Sequence, residues 1–239
     1  MRIEPVHTRK EEKSFLDFPR HLYRNDPNHV VMFDSEIRSA FNRKVNPYFK
    51  HGDAVRWIAL NEQGDTVGRI AAFYDTTKDE ADYVRSGGCG FFESIDDRKV
   101  AFMLFDTARS WLQEHGYEAM TGPINFGEND TNWGCLVQGF IPQGLGMNYN
   151  LPYYKELFES YGFQLYYRQL SFHLDIVKPF PERFWKIAEW INKRKGFRYQ
   201  HYDPKQTARF VDDLVYIYKQ AWSELRDDFT PCLLYTSDA

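Results

Sequence analysis

The ten residues NFGENDTNWG (125–134) gather Asn125, Glu128, Asp130 and Asn132 directly after an apolar run. A carboxylate at Glu128 or Asp130 can draw a proton from an amine, directly or through one water. Amide side chains such as Asn125 can hold a polar ligand alongside. The same residue types also close turns on their own backbone, so a plain turn is the competing reading. In α/β proteins the loop beyond a strand's carboxyl end is where ligand contacts collect. The seven histidines are scattered, with no HxxH or HExxH pair, and Cys89, Cys135 and Cys232 show no CxxC or Cys/His spacing. Neither a metal site nor a disulfide framework is expected.

The elements that must position this loop are read from apolar periodicity. Residues 1–8 read as a short strand, and 11–23 as a helix interrupted by Pro19. A second helix, SEIRSAFN, takes Ser35 as its N-cap. The run AVRWIALNEQGDTVGRIAAFYD is a hairpin around a glycine-containing polar turn. GGCGFFESI is a third extended run. From about Asp97 to His115, Val100, Met103, Leu104, Ala108, Trp111 and Leu112 form one helical stripe that Gly116 stops at C′. YEAMTGPINF is then a strand running into the polar loop. A helix over 152–161 stops at Gly162 and feeds a strand, FQLYYRQLSFHLDI. After Pro179 and Pro181 come a helix, a strand FRYQHY and a further helix. The order describes an α/β fold with a mixed sheet, divided near residues 178–181.

Composition sets the outer bounds. With 43% apolar and 27% charged residues and a net charge of −4, the chain has the balance of a soluble globular protein. No basic stripe of the kind nucleic acid requires is visible, so no nucleic-acid partner is expected. No apolar h-region or 18-residue apolar run occurs, which predicts a cytoplasmic protein with no membrane partner. The 20 Phe, 16 Tyr and 6 Trp serve either as core fillers or as the lining of a cleft for an apolar or planar ligand.

The element order, together with NYNLPYYKELFESYGF (148–163), resembles the GNAT acyltransferase superfamily. The pieces FPRHLYRNDPNHV, NPYFKHGD, VGRIAAF, GFFESIDD and GPINFGENDTNWGCLVQGF are similar to an uncharacterised bacterial family with two GNAT-like halves. The resemblance implies a GNAT-like mixed sheet flanked by helices over 1–178 and an incomplete second lobe over 179–231. It also implies acyl transfer from an acyl-CoA, such as acetyl-CoA, to a small-molecule amine. By the same resemblance a carboxylate or ordered water is the base, and a Tyr protonates the leaving thiolate. The position that matches this Tyr holds Phe158, which has no proton to give, so Tyr153 and Tyr154, one turn earlier, are the candidate substitutes, with a core ring stacked on Leu157 and Phe158 as the competing reading of Tyr154. Expected cofactor contacts are Phe92 on a splayed strand, Ser94, Arg98 and Lys99 at the helix start, Asn125, and Asn150 ahead of the late helix.

The helix start departs from the superfamily pattern. Where a glycine turn would let phosphate approach the backbone, Asp96-Asp97-Arg98-Lys99 stand instead. Ser94 and Asp97 form an S-x-x-D capping pattern, and the carboxylates of Asp96 and Asp97 oppose an anion. CLLYTSDA (232–239) resembles the translation of a transposase-type sequencing adapter, so a native sequence continuing beyond Pro231 is expected. Two functions follow. One is a GNAT-like N-acyltransferase whose 239-residue piece is inactive by itself. The other is a non-catalytic GNAT-shaped binding module. A Fem-type aminoacyl-tRNA reading is disfavoured by the lack of basic character.

Overall fold

Residues Gly52–Leu60 (β2) and Thr66–Asp75 (β3) build the centre of a five-stranded sheet. Their turn closes through Asn61, whose Oδ1 accepts the Asp65 N–H at 2.8 Å. In the computed structural model, residues 1–78, 84–127, 131–144, 146–196 and 200–222 are described. Arg2–Pro5 (β1) pairs with β2, and Ser86–Ser94 (β4) pairs with β3, both antiparallel. Ala119–Thr121 (β5) pairs with β4 in parallel, giving the order β1-β2-β3-β4-β5. A parallel neighbour needs a crossover, and helix Arg98–Glu114 (α3) supplies it.

Helix α3 buries Val100, Ala101, Leu104, Phe105, Ala108 and Leu112 against one sheet face, where Trp57, Ala59, Ile70, Ala72, Cys89 and Phe92 point. It ends where expected, with Gly116 at φ 81°. Helix Tyr154–Tyr161 (α4) adds Tyr154, Leu157 and Phe158 to the same core. Complete burial of a ring such as Phe105 is worth ~1.5–3 kcal/mol over leaving it exposed. The opposite face carries Arg9–Leu22 (α1) and Asp34–Ala40 (α2), whose Phe15, Leu16 and Ile37 cover Ile58 and Leu60.

Four sequence expectations are corrected. Helix α1 is not interrupted at Pro19; it starts at Arg9 behind a Thr8–Glu11 capping box and continues to Leu22. Proline has no N–H to give the carbonyl four residues back, which is that of Phe15. Arg69 Nη1 donates to that carbonyl instead, at 2.8 Å, so the helix loses no buried acceptor. Ser35 is not an N-cap: it lies inside α2, whose N-cap is Phe33 with no side-chain bond. Nor does Ser94 cap α3. It is the buried last residue of β4, and Asp97 caps α3 by accepting the Lys99 N–H at 2.7 Å. Finally, residues 163–176 form no strand. Leu170, Phe172, Leu174 and Ile176 alternate with polar residues as a strand requires, yet each is at least 62% exposed, so no sheet face buries them.

The chain divides into two units, Met1–Gln169 and Leu170–Ala239. The second unit contains Glu182–Lys193 (α5) and Thr207–Trp222 (α6). Of the anticipated strand FRYQHY, residues 200–202 are not in a strand, and 197–199 lie outside the described residues, as does the 232–239 tail. The apolar stripe of α5, with Phe184, Trp185, Ile187, Trp190 and Ile191, is exposed.

Candidate functional site

The site is created by an irregularity in β4. Opposite the single β3 residue Ile70, β4 places two residues, Phe91 and Phe92, with Phe91 at φ 49°. A bulge of this kind reverses the alternation of side chains downstream. Phe92 therefore joins the α3 core, whereas Phe91 packs on Phe41 under the other helices. Glu93 is delivered to the α1 face, opposite Arg69. In a strand without the bulge, Glu93 would point at α3.

Just before the bulge, β4 and its parallel neighbour are in close contact. The Ile124 N–H donates to Cys89 O at 2.9 Å, and a Cβ on Gly90 would stand 1.6 Å from Ile124 O. Only glycine permits that approach. The last β4–β5 ladder pair is Gly88 with Thr121. Beyond the Gly90–Ile124 contact, a cavity of about 80 Å³ lies between Phe91–Glu93 and Pro123–Asn125.

A linked polar network floors this cavity. Glu93 Oε2 accepts from Tyr154 Oη at 2.6 Å and from Tyr23 Oη at 2.7 Å. Its Oε1 faces Arg69 Nη2 at 3.5 Å. Tyr154 Oη in turn accepts the Ser94 N–H at 3.0 Å. The carboxyl is 12% exposed and the guanidinium 6%. Burial pushes the Glu93 pKa up, opposed by the Arg69 charge and the two phenols. Burial, with Glu93 beside it, pushes the Tyr154 and Tyr23 phenols far above their usual range, so both keep their protons.

The cavity's outer wall is aromatic. His29 lies flat on Tyr23, with centroids 4.0 Å apart and planes 9° apart, and Tyr149 meets both rings at 5.9 Å. Tyr149 Oη donates to Asp26 at 2.7 Å. Burial moves His29 below the usual histidine pKa, with Asp26 opposing and Arg69 assisting. Val30 and Met147 line the cavity, and the loops that carry them also expose Val31 and Phe33 on one and Val137 and Ile141 on the other. Asn28 Nδ2 ties these loops together through Phe140 O at 3.0 Å, as does Asn132 Nδ2 through Met32 Sδ at 3.4 Å.

The structure brings together part of the constellation expected from sequence. Tyr154, Phe92, Asn125 and Asn150 line the cavity. Asn125 Oδ1 is buried with no hydrogen-bond partner, an acceptor left open for a ligand. The Asn150 amide is occupied by Leu136 N–H and by the Leu136 and Leu151 carbonyls. Ser94 lies beneath the network, its hydroxyl donating to Ile95 O. Arg98 and Lys99 stand apart on α3, and Arg98 is paired with Glu156 at 2.6 Å. Glu128 and Asp130 lie outside the described residues. Sequence reading passed over Glu93, Arg69, Tyr23, His29 and Tyr149. The signal for Glu93 was a lone charge in an apolar, glycine-rich strand, with an arginine in the strand before it.

The fit of this site to a CoA pyrophosphate is poor at the start of α3. There Asp97 takes the Lys99 N–H, and Arg98 is held by Glu156. Among the described residues no helix is long and apolar enough to cross a membrane, and no cluster of three metal-binding side chains occurs.

No protein-family model matches the chain. The chain is 30% identical over 234 residues to a bacterial ceramide synthase of Caulobacter vibrioides, covering 96% of this chain and 59% of that protein. It is 33% identical over 152 residues to protein YghO of Escherichia coli, covering 63% of this chain and 38% of that protein. The chain thus spans less than two thirds of each curated relative. Among solved structures, an aminoglycoside 6'-N-acetyltransferase from Acinetobacter baumannii overlaps 73% of this chain and 98% of its own, at 11% identity and TM-score 0.40. A GNAT-family acetyltransferase from Staphylococcus aureus overlaps 50% of this chain and 71% of its own, at 14% identity and TM-score 0.35. Both overlaps are partial.

Proposed function

We propose that this chain carries the cleft of a GNAT-like N-acyltransferase that moves an acyl group from a thioester to the amine of a long-chain acceptor. The observation that carries this reading is the cavity opened beside the β4 bulge, with its buried Glu93–Tyr154 pair and the unpartnered Asn125 carbonyl. The similarity to a protein named ceramide synthase supports the acceptor class, since a ceramide is the amide of a long-chain amine. The exposed apolar side chains Val30 and Met147 on the cavity wall, with Val31, Phe33, Val137 and Ile141 on the same two loops, support it too, because they offer an alkyl chain a surface beside a polar floor.

In this reading the amine nitrogen bonds to the acyl carbon while the carbon–sulfur bond breaks. Asn125 orients the acceptor or the acyl group. Tyr154 keeps its proton at neutral pH and donates it in a hydrogen bond to Glu93 Oε2 at 2.6 Å, so the pair is a fixed polar floor that positions the reacting groups. Glu128 and Asp130, which follow Asn125 in the sequence, are the carboxylates that the sequence offers as a base. The donor in this reading is an acyl thioester, and the start of α3 does not favour a pyrophosphate on it.

Product formation tests the reading. The full-length protein is given acyl-CoA and a long-chain amine, with amide read by mass spectrometry and free thiol by a colorimetric reagent. Amide is expected, with kcat lowered at least about tenfold in Tyr154→Phe. The 239-residue chain alone is expected to give none. Absence of both amide and thioester binding in the full-length protein would remove the reading. The self-capped start of α3 favours a second reading, a binding module that holds an amphiphile without turnover. Ligand binding with no amide under any donor would select it.

A further inference from the structure

We infer that His29 is the base that takes a proton from the acceptor's ammonium group, in place of a carboxylate. The inference rests on the acyl-transfer reading above and names the proton acceptor within it. Glu93 is poorly suited to the role, because both its oxygens are engaged: two phenol O–H groups bond Oε2 and Arg69 faces Oε1. The imidazole of His29 is on the cavity wall, and its ring nitrogens make no hydrogen bond among the described residues. Its orientation is nonetheless fixed. It lies on Tyr23, which is pinned by Glu93, and against Tyr149, which is pinned by Asp26.

The titratable groups around this ring are Tyr23 and Tyr149, which pack on it, and Asp26 and Arg69, whose charges act on it, while Glu93 is linked to it through Tyr23. Burial comes first and favours the neutral ring, Asp26 favours the charged one, and Arg69 favours the neutral one. The net direction leaves His29 unprotonated at pH 7, as a base must be before it acts. Neutral His29 removes one proton from R–NH3+ and later releases it to water. The freed R–NH2 forms the carbon–nitrogen bond, and the thiolate leaves with the acyl carbon's former bonding pair. A second proton passes from nitrogen to that thiolate, giving the amide and a thiol.

The test is the pH profile of kcat/KM for amide formation in the full-length protein, compared among wild type, His29→Gln, Asp26→Asn and Glu128→Gln. His29→Gln is expected to lower kcat/KM about 100-fold at pH 7. That deficit should shrink as pH rises toward the amine's own pKa, where no base is needed. Asp26→Asn removes the charge that favours protonated His29, so the acid limb should move to lower pH with the plateau kept. A role confined to packing would shift neither limb. An unchanged acid limb in Asp26→Asn, or loss of that limb in Glu128→Gln and not in His29→Gln, overturns the inference and leaves acyl transfer standing. No amide from wild type with any thioester overturns both.

Discussion

Two polar clusters sit less than one turn apart along the chain, at the end of β4 and at the start of α3, and they behave in opposite ways. Asp96, Asp97, Arg98 and Lys99 are consecutive and exposed apart from the half-buried Asp97, and their bonds are local: Asp97 to Lys99 N–H, and Arg98 to Glu156 on the neighbouring helix. Glu93, Arg69, Tyr23 and Tyr154 come from four separate elements or their ends and meet in near-complete burial. Water carries the charges of the first cluster, so changing one costs little. In the second, each group is the main solvation of the others, so removing one strands the rest. The acyl transfer proposed above is assigned to the buried cluster.

The largest effect is expected from Glu93→Ala, which leaves Arg69 charged and unpaired in the interior. Urea denaturation should show a loss of about 3–5 kcal/mol. A double replacement, Glu93→Leu with Arg69→Met, should recover most of that loss. If the single variant is as stable as wild type, the two clusters are not different in kind. Tyr154→Phe comes next, because the Ser94 N–H loses its acceptor and Glu93 one donor. A loss of about 1–3 kcal/mol is expected in the same titration. Asp97→Ala removes only a cap and should cost about 1 kcal/mol. A cost for Asp97→Ala equal to that of Glu93→Ala would erase the comparison.

The smallest effect is a pH dependence. Glu11 Oε2 accepts the Thr8 and His7 N–H groups, both at 2.7 Å, and these bonds lower its pKa. A depressed carboxylate contributes stability above its unfolded pKa and loses it as pH falls through the folded one. Melting temperature followed down the acid range should therefore decline less steeply in Glu11→Gln than in wild type.

The local elements were largely legible in the sequence. The β2–β3 hairpin carries its own turn chemistry, and α3 carries both its stripe and its stop at Gly116. The late helix ends at Gly162, with φ 117°, as the sequence indicated. The less legible features depend on residues far apart in the chain. The Phe91–Phe92 bulge is set by pairing with β3, and no periodicity within GGCGFFESI reveals which residue is extra. Without that bulge Glu93 reads as facing α3, which is why the cleft carboxylate was passed over. Pro19 reads as a helix breaker until a guanidinium from β3 is seen to serve the orphaned carbonyl. Residues 163–176 show the converse failure: alternation alone predicted a strand, but a strand also needs a partner and a face to bury.

The proline in α1 makes the Arg69 fork a shared resource. One arm steadies a helical turn through Phe15 O and the other balances the cleft carboxylate, while the plane rides 4.7 Å over the Phe15 ring. An ordinary residue at position 19 would let the helix close its own ladder and release that arm. The missing N–H therefore couples the first helix to the charge state of the cavity floor, so that a change at either end is felt by the other through one side chain.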